Sequence, residues 1–366
     1  MATTYRYLIA DLLTNEIIAE LPFTGVSFTQ QLNQAGTFTG HILLSGINTY
    51  EYNVDAATQP SRNALYVDRN GILVWGGIIW NRTYASQGQV LQITAREFES
   101  YFEKRLISTT TSYNNTDQLV IVRNLIDAAQ AVASGDIGVI TNSETSGILI
   151  DRVYYAYELK QVYQAIQDLS RQDDGFDFNI SVDYDAITNE PLKTLVLGYP
   201  RTGHQDTGVG DLDTPVFNLP AGNIVEYEYP EDGSIAVNTL YVIGAGSNEG
   251  KLTSLAQDST SLTAGFPVLE GQANYSDITD QTVLNKLSLG QVLALATPPP
   301  IIKIVVPAYI DPEFGTYEIG DDARLIITDP RFPEGFDSIY RIVGFNVEPG
   351  EDSPERVTIT LTNTTN

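Results

Sequence analysis

Residues able to do chemistry are sparse in this chain, and their spacing fits known sites badly. Gly244-Ala245-Gly246-Ser247-Asn248-Glu249-Gly250 follows a strand-like Leu240-Tyr241-Val242-Ile243, where a dinucleotide loop would sit. The glycines run G-x-G-x-x-x-G rather than G-x-G-x-x-G, no parallel βαβ rhythm surrounds them, and Glu249 would oppose a pyrophosphate. A mobile inter-strand loop is the better reading. Asp183, Asp185 and Asn189 resemble the start of a calcium loop, but Thr188 occupies the position that requires glycine and no glutamate closes the loop. That segment reads as a solvated hairpin tip. Asp211 with Asp213, and Asp321 with Asp322, could each hold a weak cation; turn and cap chemistry accounts for all four.

His41 and His204, the two histidines, lie far apart without a G-x-S-x-G elbow or an H-E-x-x-H pair. The absence of cysteine removes disulfides, thiolate catalysis, iron–sulfur clusters and cysteine-ligated zinc. Two of the 46 acids could face each other across a sugar-sized cleft, and sequence alone leaves that open. Trp75 and Trp80 stand in an alternating strand, where core packing is the default over sugar stacking. With no nucleophile, metal cluster or cofactor loop, the chain reads as a structural or binding component rather than an enzyme, and no cofactor is expected.

The elements around these residues are mostly strands. The chain has 366 residues, 42% of them hydrophobic, enough for two or three domains with real cores. Ala64–Asp68 and Ile72–Trp75 flank Arg69-Asn70-Gly71, and Asn-Gly supplies the positive φ angles of a tight hairpin turn. Further strands are expected at Thr3–Leu13, Val26–Leu32, Thr37–Leu44, Ile78–Tyr84 and Val90–Thr94. A short helix then carries Phe98, Tyr101, Phe102 and Leu106 on one side. Residues 1–107 therefore read as a β-barrel or sandwich with one helix.

After Ser108–Asn115 the pattern changes. Asp117 can open a helix with Val122, Leu125, Ile126, Ala129 and Val132 on one face, and Gly135 is placed to stop it. A second helix is expected from about Tyr157, with Leu159, Val162, Tyr163, Ile166 and Leu169 as its stripe. Phe176–Ile180 and Leu192–Tyr199 read as hairpin strands. Residues 108–215 are thus α+β. In 216–366 strands are expected at Asn223–Tyr229, Ser234–Ile243, Ile301–Pro307, Ala323–Thr328, Tyr340–Val347 and Arg356–Leu361. A helix over Ile278–Ala296 uses Val283, Leu284, Leu287 and Val292 and is stopped by Thr297-Pro298-Pro299-Pro300. The expected class is mainly β with an α+β insertion: two β domains, each with one helix, flanking an α+β domain.

The net charge is −26, spread as −2 over residues 1–107, −10 over 108–215 and −14 over 216–366. The nearly neutral first part suits burial against partners. The acidic remainder argues against nucleic-acid reading by counterion release and against docking on anionic lipid. No membrane or targeting segment is expected: Met1-Ala2-Thr3-Thr4 leads straight into Tyr5–Ile9, and the apolar stretch Gly71–Trp80 is too short to span a bilayer.

Several stretches together resemble the hub proteins of bacteriophage tails, the minor tail or baseplate-hub family. Leu65–Gly77, with Asn70, Gly71, Trp75 and Gly76, resembles that family's hairpin ending in an aromatic and glycine. Val90–Arg105, with Phe98, Tyr101 and Arg105, resembles its strand running into a helix that ends in an aromatic and Arg. Asp168–Phe178, with Gly175 and Phe176, resembles the helix-then-strand of its middle domain. Gly320-Asp321-Asp322-Ala323-Arg324-Leu325, and Tyr340 through Glu355-Arg356-Val357, resemble its closing strands. These twelve positions are expected to be structural rather than catalytic.

The resemblance implies two tube-like β-barrels per subunit in a homotrimer, giving a pseudo-sixfold ring at the virion's tail tip. The middle domain would lie at the periphery, and an acidic lumen would let DNA slide through by repulsion. Implied partners are a distal tail or tube protein ring, a tape measure protein, and tip or fibre proteins. The sequence ends at Asn366 without an evident lysin or receptor-binding appendage, so neither activity is carried over. The alternatives are a carbohydrate-binding or cell-wall-cleaving tail protein and a cellular relative within a contractile injection machine.

Overall fold

A computed structural model describes residues 3–46, 53–172, 174–208, 210–220, 222–275, 278, 280–296, 301–350 and 353–363. The expected Pro-rich stop at 297–300 and the side chain of Val283 lie outside what is described. The chain forms two compact units, residues 1–227 with 303–366, and residues 228–302.

The larger unit is built on one long sheet. Its first strands are β1 (Tyr5–Asp11), β2 (Ile17–Glu20), β3 (Thr24–Gln31), β4 (Thr37–Leu43), β5 (Asn63–Arg69), β6 (Ile72–Ala85) and β7 (Val90–Glu97), with the one-turn helices α1 (Val54–Ala57) and α2 (Glu99–Phe102). Arg69 pairs with Ile72 across the turn, where Asn70 and Gly71 have φ of 56° and 87°. The insertion follows: β8 (Thr111–Asp117), α3 (Gln118–Gln130), β9 (Val139–Thr141), β10 (Leu149–Tyr154), α4 (Val162–Ser170), β11 (Asp177–Tyr184) and β12 (Pro191–Gly198). The chain continues through β13 (Val216–Leu219) and β14 (Glu226–Glu228).

The smaller unit holds β15 (Thr239–Ile243), β16 (Thr253–Gln257), α5 (Ser259–Thr263), β17 (Glu270–Asn274) and α6 (Gln281–Ala296). The last strands of the chain are β18 (Ile302–Pro307), β19 (Asp322–Ile327), β20 (Phe336–Glu348) and β21 (Arg356–Asn363).

The long sheet runs β14-β18-β21-β20-β3-β4-β7-β6-β5-β1-β2, with β19 beside β20 and β13 beside β19. The fold is mainly β with an α+β insertion, as expected. The expected barrels are not closed among the described residues. The reason is visible in the register: β3 pairs antiparallel with β20, Phe28 opposite Val347 and Gln31 opposite Gly344. Two edges that closure would need are instead spent joining the N-terminal and C-terminal strand groups into one sheet.

Side-chain alternation sorts the cores. One face of the first strand group carries an aromatic cluster, with Phe23 edge-on to Phe38 at 5.4 Å and Phe38 against Trp75 at 5.6 Å between ring centres. The other face continues into the insertion, where Leu8, Tyr66, Ile78 and Phe98 pack in one cluster with Leu125, Ile166 and Phe178. The insertion therefore shares its core with the first strand group. The C-terminal strands have their own aromatic core of Phe217, Phe314, Tyr317 and Phe345.

Several boundaries differ from expectation. Asp117 does cap α3, its carboxylate accepting from the Leu119 amide at 2.9 Å, but the helix ends at Gln130, leaving Val132 outside and exposed. α4 starts five residues after Tyr157, because Leu159 adopts φ of 46°, a left-handed conformation that breaks the helix. Leu106 lies beyond α2, also exposed. In the smaller unit, α6 packs Leu284 and Val292 on Leu240, Val242 and Ala256, so the helix expected for the second β domain covers a separate three-stranded sheet, β16-β15-β17.

Candidate functional site

The candidate cation-binding acids are engaged with other groups of the chain, Asp185 and Asp211 in turns as expected and Asp322 in a buried ion pair rather than a turn or cap. Asp185 accepts from the amides of Ile187 and Thr188 at 2.9 and 2.8 Å, an Asx-type turn at the β11–β12 tip. Asp211 accepts from the Thr207 amide and the His204 ring, both at 2.9 Å, and these donors hold its carboxyl far below the usual range. Asp321 accepts from the amides of His204 and Glu318, and Asp322 pairs with Arg201 and takes the Asp206 amide. Among the described residues no group of three or more His, Asp or Glu could hold a metal. The Gly244–Gly250 loop connects two antiparallel strands, β15 and β16, with a single 3-10 turn at Asn248–Gly250, so it does not run on into a helix as a dinucleotide loop does. Trp75 is fully buried and its indole donates to Thr29, while Trp80 donates to Ser100.

The densest polar arrangement instead lies where the N-terminal strands, the insertion and the C-terminal strands meet. Asn33, in the turn after β3 with φ of 60°, donates to Asp177 at 3.0 Å and accepts from the Phe178 amide at 2.7 Å. Asp177 opens β11 and also accepts from the Thr202 amide at 2.9 Å. Arg341, in β20, forms an ion pair with Asp177 and donates to the carbonyls of Gly320 and Thr202 at 3.2 and 3.1 Å. Both side chains of the pair are almost wholly buried (6% and 8% exposed). A buried charge pair with its remaining donors satisfied costs little when intact and several kcal/mol when one partner is removed. The network therefore locks three parts of the chain in one relative arrangement. A second staple joins the two strand groups: Arg69 of β5 grips Glu355 bidentately at 2.8 and 3.0 Å, and Tyr5 donates to the same carboxylate.

The twelve residues singled out in the sequence are spread around these joints. Asn70 accepts from the Thr4 amide, and Asp68 accepts from Gly71, fixing the β5–β6 turn. At Gly76 a Cβ would come within 2.8 Å of both Tyr66 and Val182, so only glycine lets β11 seat on the sheet. Phe98 packs on Tyr66 and lies under the Lys193 ammonium, 4.9 Å from its ring centre. Tyr101 donates to the Gly135 carbonyl and Arg105 to that of Ala129, holding the end of α3. Gly175 passes so close to the Ser170 carbonyl that a Cβ would sit 2.0 Å from it, and Phe176 behind it is buried. Gly320, with φ of 102°, and Asp321 shape the loop under Arg341, and Tyr340 is buried beside it in β20.

Sequence reasoning missed the buried charges. Glu97 and Glu99 are both buried, accepting from the amides of Gly36 and Ile180. Burial pushes Glu99 up to about 7, and burial together with the charge of Glu99 raises Glu97 well above the usual carboxylate range. Lys193 is buried too, donating to the Ile137 carbonyl, and burial pulls its ammonium down to about 8. Its signal was present: Lys193 shares the inward parity of Leu195 and Leu197 in β12. No comparable signal marked Asn33, Asp177 or Arg341, whose pairing spans three elements.

No protein-family model and no curated protein matches this chain. Solved structures do. It is similar to the tail protein from Neisseria meningitidis MC58, at 13% identity and a TM-score of 0.63, over 100% of this chain and 97% of that one. It is equally similar to the 43 kDa tail protein of prophage MuSo2 from Shewanella oneidensis, at 13% identity and a TM-score of 0.64, over 98% of each chain. The chain has the fold of phage tail proteins. A Francisella PdpA–VgrG complex also matches, at 10% identity and a TM-score of 0.61, over 100% of this chain and 59% of that one. Among the described residues no helix is long and apolar enough to cross a membrane.

Proposed function

We propose that this chain is a non-enzymatic structural component of a phage tail, a hub at the tail tip. The observation that carries the reading is the match of fold over nearly the whole length of two tail proteins. In this reading three copies form a ring in which residues 1–107 and 216–366 each contribute one tube-like part. Threefold assembly then approximates sixfold symmetry and can meet a sixfold tube or distal tail ring. Residues 108–215 lie at the periphery.

The staples between strand groups suit such a role, because a ring subunit transmits force only if its two tube-like parts move as one body. A net charge of −26 suits a channel for DNA, since like charge keeps polyphosphate from adhering. Tape measure, tube-ring and tip or fibre proteins are the partners this placement requires. Particles produced without this protein test the reading. Tails with absent or open tips, restored by supplying the protein in trans, are expected; normal infectious tails without it end the proposal.

A further inference from the structure

In the larger unit the arginines at the joints are spent on carboxylates, Arg69 on Glu355, Arg96 on Glu103, Arg201 on Asp322 and Arg341 on Asp177. Between α3 and the segment after α2 lies a groove of about 690 Å³, within the size range of ligand pockets. Its floor is apolar, formed by Leu125 and Ala129, and its rim carries Leu106 and Val132, 49% and 54% exposed. Two cations line it, Lys104 and Arg105, with Asp127 as the sole acid among the lining residues. Among the described residues neither cation makes an ion pair, and the adjacent Glu103 is gripped bidentately by Arg96 at 2.7 Å on both arms. The Arg105 guanidinium, half-buried, spends one donor on the Ala129 carbonyl and lies over the Tyr101 ring at 5.7 Å; its Nε is buried without a partner.

Two unpaired cations beside an apolar trough, in a chain with 46 acids, are an uncompensated feature that a ligand of opposite charge would complete. We propose that this groove binds a short segment of a partner protein carrying an apolar side chain and a carboxylate. The apolar group occupies the trough between Leu106 and Val132, and the carboxylate meets Lys104 and the Arg105 donors not spent on Ala129. The partner is a peptide rather than a nucleic acid, because a chain of net charge −26 repels a polyanion whose phosphates extend beyond the two cations.

The test uses the full-length chain and fluorescein-labelled peptides followed by anisotropy. One peptide is built from Glu, Leu and Phe, a second has Gln for every Glu, and a labelled oligothymidylate serves as the third probe. Saturable binding of the acidic peptide is expected, about tenfold weaker for the Gln peptide and about tenfold weaker to Lys104→Glu, the change that loss of one partly desolvated charge contact produces. Val132→Asp should weaken it as well, and Lys251→Glu, a charge reversal in the other unit, should not. Lys104 and Val132 are exposed, so both variants keep the fold. Absence of acidic-peptide binding, equal binding of the Glu and Gln peptides, indifference to Lys104→Glu, or oligothymidylate binding as tight as the acidic peptide would each overturn the proposal.

Discussion

Replacing Glu99 by Gln should remove a large part of the pH dependence of stability in the larger unit. Glu99 is buried at the start of α2, with one oxygen accepting from the Ile180 amide and the other, Oε2, without a partner. Burial lifts it to about 7 in the folded chain, while the unfolded chain keeps it near 4.5. Between those values the folded state holds the proton and the unfolded state does not, so stability is greatest at the acid end and falls as pH rises. Integrated from pH 5 to pH 8, one such carboxyl costs the fold about 2–3 kcal/mol. Acidic self-repulsion lowers stability over the same range, so the informative quantity is the difference between proteins rather than the slope of either. Urea unfolding followed by tryptophan fluorescence suits this, since Trp75 and Trp80 both report on the first strand group. Glu99→Gln should lose about 2–3 kcal/mol less than the parent between pH 5 and pH 8. Parallel curves for the two proteins would refute the reasoning, showing that Glu99 is ionised in the fold at neutral pH.

Other substitutions probe the joints. Arg341→Ala strands the buried Asp177 carboxylate and should cost about 3–5 kcal/mol in urea unfolding, with the insertion gaining amide hydrogen exchange first. Gly76→Ala forces a Cβ against Tyr66 and Val182 and should lower stability by about 1–3 kcal/mol. Lys193→Met fills the same space without a charge; it should be neutral or stabilising at pH 7, and should abolish the gain in stability expected of the parent as pH climbs from 8 toward 10. Asp117→Ala removes the α3 cap and should cost about 1 kcal/mol by the same assay.

What the sequence disclosed was local, and what it withheld was long-range. The Asn70-Gly71 turn and the strand over Arg356–Leu361 were legible because two neighbours, or one period of two, decide them. The α4 start was misjudged because helical periodicity around Leu159 carries no mark of its positive φ. The strands β16 and β17 escaped notice because Thr253, Gln257, Gln272 and Asn274 give them little apolar alternation. The union of the two strand groups was invisible for a different reason. Phe28 meets Val347, and Asp177 meets Arg341, across separations that only the assembled sheet defines. For the same reason the twelve positions carried by resemblance mark where elements touch, while the ion pair that fixes their arrangement had to be found in the structure.

The reading of this chain as a tail-tip hub is tested most directly by imaging the end of an intact tail at side-chain detail. Three copies should close a ring around the tail axis, with the N-terminal and C-terminal strand groups alternating at intervals close to sixty degrees. Density for the chain as a single copy off the axis, or particles whose tails lack it altogether, would contradict the account.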